Sequence, residues 1–130
     1  VARQRVRDMA SLFQIREFQF YDAMEGYSDP PEDGLEMWHC AAFGRKTLRP
    51  TLRAYADEIS SLGGRSWLYV QIEAADPGDE EAEEGEIVVG QHIVMGEPLL
   101  DIVVPTIPWA LRIATKWAVF ARRQGFSGIH

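Results

Sequence analysis

Amphipathic helical segments alternate with short apolar segments along the chain, and this alternation limits the available folds more than any other feature. Val6, Met9, Ala10 and Phe13 recur at helical spacing, which predicts a helix from Ala2 to about Phe13. Phe18-Gln-Phe-Tyr-Asp-Ala-Met24 is short and aromatic, the pattern of a strand. Leu48, Leu52, Tyr55, Ala56, Ile59 and Leu62 form one helical stripe, with Thr47 as the expected N-cap and Gly63-Gly64 as the stop. Trp67 to Ile72 is nearly continuous in hydrophobicity, as in a strand buried on both faces. Ile87–Val104 reads as a hairpin or an irregular excursion. Pro105 and Pro108 then introduce a helix whose stripe is Ala110, Ile113, Ala114, Trp117, Phe120 and Ala121, with Arg112, Lys116, Arg122 and Arg123 assigned to its wet side. Gly125 ends it, and Phe126–His130 begins another strand. Strands separated by helices predict βαβ units with mainly parallel strands, an α/β fold.

Composition removes several alternatives. The 130 residues include 20 acidic and 13 basic groups, for a formal charge of −7. Seven of the acidic residues lie in Asp76–Glu86, which contains no basic residue; the remainder balances at 13 against 13. That stretch is expected to be a solvated, flexible acidic loop, because its spacing does not match a calcium loop. A nucleic-acid binder would carry a basic stripe, and none is present. One cysteine, Cys40, permits no internal disulfide, and His39, His92 and His130 lack metal-ligand spacing, so neither a metal nor a cofactor is expected. No apolar run reaches the roughly 18–20 residues of a membrane-spanning helix, and no signal-peptide h-region is visible.

Parallel strands place all their C-terminal ends on one rim, where α/β proteins bind ligands. Tyr21 and Asp22 end the first strand, Glu73 and Asp76 follow the second, and His130 ends the third. Each has a structural reading too: Asp22 could cap its loop, Glu73 could be surface, and His130 could be a satisfied strand-end histidine. Trp38 could offer an aromatic platform or could pack on the sheet.

In order, Gln19-Phe-Tyr-Asp22, a helix ending at Gly63-Gly64, the strand at Trp67, and Gly125-Phe-Ser-Gly-Ile-His130 resemble a stretch of the catalytic (β/α)8 barrel of glycoside hydrolase family 66, the dextranase and cycloisomaltooligosaccharide glucanotransferase group. Ala23 stands where the family's first motif has an aromatic residue, and His130 precedes the position where its second motif brings a catalytic Asp. The resemblance implies a fragment of a carbohydrate-active TIM barrel, without its nucleophile and inactive alone. In it Tyr21, Asp22, Trp38, Glu73 and His130 would contact sugar. The chain opens with Val1 inside a helix and closes at a strand end, in keeping with a sector of a larger domain. The alternative is a complete small α/β binding or assembly module. An interrupted sheet would also leave an edge through which copies could self-associate.

Overall fold

The computed structural model describes residues 2–21, 26–32, 37–40 and 45–130, leaving aside the side chains of 37–40 and 45–48. The elements in chain order are α1 (Ala2–Leu12), β1 (Glu17–Phe20), β2 (Met37–Cys40), β3 (Arg45–Leu48), α2 (Arg49–Ser61), β4 (Arg65–Leu68), β5 (Ala74–Ala75), α3 (Glu80–Glu84), β6 (Val88–Val94), β7 (Glu97–Val103), α4 (Ile107–Arg123) and β8 (Gly128–Ile129).

β1, β4 and β8 form a parallel sheet in that spatial order. Its register aligns Gln19 with Trp67 and Gly128, and Phe20 with Leu68 and Ile129. The ladder runs past the strand ends: Tyr69 N–H donates to the Phe20 carbonyl at 3.0 Å, and Val70 N–H to the His130 carbonyl at 3.0 Å. The expectation of mainly parallel strands holds for this sheet alone. Among the described residues, β2 and β3 pair antiparallel, as do β5, β7 and β6 in a second three-stranded sheet. Both antiparallel sheets join segments close in sequence, and such pairings need no crossover helix.

Alternation along β1 and β4 gives the parallel sheet two unlike faces. Phe20, Leu68 and Ile129 point to the core, where Leu52 and Ala56 of α2 meet Ile113, Trp117 and Phe120 of α4. Phe20 packs edge-on to Phe126 with ring centroids 5.3 Å apart. Full burial of side chains such as Ile59, Leu68 and Ile113 contributes about 1.5–3 kcal/mol each. The opposite face carries Glu17, Gln19, Trp67 and Tyr69, which stay exposed or half-exposed. The run from Trp67 is therefore covered on one face only, which corrects the expectation of a strand buried on both.

Other elements depart from their sequence reading for local reasons. Thr47 is no N-cap: it pairs with Trp38 across β2–β3, and α2 starts at Arg49 with Pro50 in its first turn. α1 keeps Phe13 71% exposed and beyond its last turn, burying only Ala10. Its hold on α2 comes instead from Arg7 and Arg3, which pair with Glu58 at 2.5 and 3.0 Å. The acidic stretch contains α3, whose N-cap Asp79 accepts from Ala82 N–H at 3.0 Å. Acidic residues in its first turn complement the helix dipole. The excursion after it keeps to one of its two sequence readings: it is the β6–β7 hairpin, closed by the two residues Met95-Gly96.

Candidate functional site

The C-terminal rim of the parallel sheet gathers side chains from all three strands. One row back from the rim, Trp67 spans the sheet: its Nε1–H donates to Glu17 Oε2 at 2.6 Å, while its six-membered ring lies against Gly128. A methyl group on Gly128 would sit 2.9 Å from Trp67 Cζ3, so this close approach requires glycine. Arg65 holds the other Glu17 oxygen at 2.5 Å and stacks 5.6 Å from the indole centroid. The Trp67 N–H and then Arg65 keep the Glu17 carboxyl below its ordinary pKa.

At the rim itself, Tyr21 and Tyr69 are in ring contact, with centroids 4.5 Å apart and planes tilted by 41°. Gln71 Nε2 lies 3.4 Å from the Tyr69 hydroxyl, and Gln19 Nε2 lies 3.3 Å from His130 Nδ1. Tyr21 is 62% exposed, so the pair presents aromatic surface to solvent. Aromatic rings beside uncharged hydrogen-bonding groups can hold a ligand with apolar C–H faces and many hydroxyls.

The loop behind the rim is fastened rather than open. Asp76 accepts from Tyr27 N–H at 3.0 Å and Ser28 N–H at 3.1 Å, while its own N–H donates to Ser28 Oγ at 2.8 Å. Trp117 Nε1 donates to the Tyr27 carbonyl at 3.0 Å, and Lys116 Nζ reaches Asp29 at 2.6 Å. Arg112 joins three carboxylates: Glu81 at 2.8 Å, Asp79 at 3.3 Å and Asp29 at 3.8 Å. Arg112 is thus a packed clamp rather than a wet-face residue, and only 17% exposed. Burial raises the Asp79 pKa, but the Ser28 hydroxyl, the Ala82 N–H and Arg112 together hold it below its usual value.

Tyr21 and His130 therefore stand on the same rim, in register with Tyr69 between them. Glu73 does not join them: it is exposed, and its carbonyl accepts from Val103 N–H at 2.9 Å where the antiparallel sheet begins. Trp38 lies in β2 of the separate β2–β3 pair, which is inserted in the connection from β1 to α2. Asp22 falls outside the described residues. Asp76 is accounted for by its clasp on Ser28. Tyr69 and Gln71 are not among the sequence candidates, and Gln19 enters there only as part of a motif, although Trp67-Tyr69-Gln71 alternate with Leu68 and Val70 at the period of a one-face strand. A cavity of about 520 Å³ lies elsewhere, between Asp29–Glu32 and the Thr115–Arg123 part of α4, and no described rim residue lines it. Among the described residues, no group of three or more His, Cys, Asp or Glu could hold a metal ion. No described helix is long and apolar enough to cross a membrane.

No family model matches the chain, and no curated protein matches it in sequence. In structure it is similar to a cycloisomaltooligosaccharide glucanotransferase from Paenibacillus sp., solved in complex with cycloisomaltoheptaose, with a TM-score of 0.79 and 20% identity. The match covers 99% of this chain and 21% of that protein, so the chain spans about a fifth of its structural neighbour. The likeness is one of fold: a mixed α/β unit, with a parallel three-stranded sheet and added antiparallel strands, resembling one part of a larger protein.

Proposed function

We propose that the chain is a three-strand sector of a carbohydrate-active, glycoside hydrolase-like (β/α)8 domain. Its part would be to hold sugar at the C-terminal rim, while catalytic carboxylates come from elsewhere in that domain. The observation that carries this reading is the Tyr21–Tyr69 ring contact beside the Gln19–His130 contact, on a sheet face that no described helix of the core covers. Two further features support it. Both crossover helices pack on one face of the sheet, as they do around a barrel, leaving the other for the barrel interior. The structural neighbour is a glucanotransferase whose structure holds a cyclic glucan.

A rim built from neutral donors and aromatic faces suits a neutral glucan better than a charged substrate. The test is binding of cycloisomaltoheptaose to the wild-type chain and to Tyr69→Ala. Losing one ring from the tyrosine pair would weaken affinity about tenfold, on the scale of one aromatic contact. Equal binding by both proteins would refute the rim as the sugar site.

A further inference from the structure

We propose that Gln19 is a positioning residue: its side-chain amide fixes the tautomer of His130, so that the imidazole offers an Nε2–H donor at the rim. The inference rests on the carbohydrate reading only for the nature of the ligand. Its structural basis is the 3.3 Å contact between Gln19 Nε2 and His130 Nδ1. An amide nitrogen can only donate, so Nδ1 must accept; a neutral imidazole then carries its single proton on Nε2.

The strand ladder fixes the backbone from which the two side chains project. His130 is pinned by backbone bonds on both sides, its N–H to the Leu68 carbonyl at 2.7 Å and its carbonyl from Val70 N–H at 3.0 Å. Gln19 projects from β1 on the same sheet face, across β4. A second amide acts in the same sense, since Gln71 Nε2 sits 3.4 Å from the Tyr69 hydroxyl oxygen. With that oxygen accepting, the Tyr69 O–H is left to donate. Two glutamines thus occupy acceptors, and the rim presents donors, His130 Nε2–H and Tyr69 O–H. Such a set selects ligand oxygens, which a glucan supplies as hydroxyl, ring and glycosidic oxygens. It also gives His130 a binding role, because a protonated Nε2 cannot take a proton from substrate.

The experiment is long-range ¹⁵N–¹H correlation of the histidine rings in the intact 130-residue chain, at about pH 9, above the ordinary histidine range. Wild-type His130 is expected to show a protonated Nε2 and an unprotonated Nδ1. Glutamate at position 19 can only accept, so Gln19→Glu should invert the pattern and make Nδ1–H the major form. Gln19→Leu, which imposes neither, should fall between the two. An Nδ1–H form in the wild type, or an unchanged pattern in Gln19→Glu, would overturn the proposal. No sugar is added, so this result is independent of glucan binding. The expected tautomers together with an absence of glucan binding would leave Gln19 in its positioning role and remove the carbohydrate reading alone.

Discussion

Trp67 donates its indole N–H to Glu17 on one neighbouring strand at 2.6 Å and lays the far edge of the same ring against Gly128 on the other. One side chain therefore ties three parallel strands together on the uncovered face and sets the level from which the rim residues rise. Each end of this contact has a measurable consequence.

Gly128→Ala should destabilise the chain by about 1–3 kcal/mol, the usual cost of overpacking, because its methyl group would meet Trp67 Cζ3 at 2.9 Å. The cost should shrink when Trp67 is also replaced by Leu, since the ring is then gone. Urea unfolding of the two single variants and the double variant measures this coupling. Additive losses would show that the indole does not press on Gly128.

Acid should loosen the α1–α2 pairing. The hydrogen bonds from Arg7 and then Arg3 lower the Glu58 pKa from 4.5 to about 2. A carboxyl depressed on folding contributes stability above its unfolded pKa and loses it as pH falls through the folded one. The Glu58 contribution should thus be complete above pH 4.5 and fade towards about pH 2. Glu58→Gln should flatten that part of the stability–pH profile, and wild type and variant should converge at its acid end.

The clasp on the rim loop should be local. Asp76→Ala leaves the Tyr27 and Ser28 N–H groups without their carboxylate, a loss of about 1–3 kcal/mol. Amide hydrogen exchange should accelerate at Tyr27 and Ser28 while α1 keeps its protection. Uniform acceleration would mean that Asp76 supports the whole fold rather than this loop.

Arg112→Leu should cost about 1–3 kcal/mol at neutral pH, because Asp29, Asp79 and Glu81 lose their shared cation. The loss should be smaller in an Asp79→Asn background, where the most buried of the three carboxylates no longer needs the cation. Thermal melts of Arg112→Leu, Asp79→Asn and the double variant read both effects. Additive losses would assign the role of Arg112 to packing over Trp109, whose ring centroid lies 4.9 Å from the guanidinium carbon.

Much of this architecture was legible in the sequence because periodicity records burial. The stripes Leu52-Ala56-Ile59 and Ile113-Trp117-Phe120 marked α2 and α4, and the intervening helices implied that β1, β4 and β8 run parallel. The β2–β3 pair was not legible, since Met-Trp-His-Cys and Arg-Lys-Thr-Leu lack the alternation of a half-buried strand. Ion-pair partners were hidden as well. Glu58 and Arg112 sit among other charged residues of amphipathic helices, and only the fold decides which of these meet an opposite charge. For the candidate site, the rim followed from topology, whereas Tyr69 disappeared into an apolar run and Glu73 was carried away by the turn into β5.

The most direct test of the account is a map of amide and aromatic resonances during titration with cycloisomaltoheptaose. Shifts concentrated at Tyr21, Trp67, Tyr69 and His130, with the Asp29–Glu32 and α4 cavity silent, are the predicted result. An unperturbed rim, or shifts confined to that cavity, would contradict it.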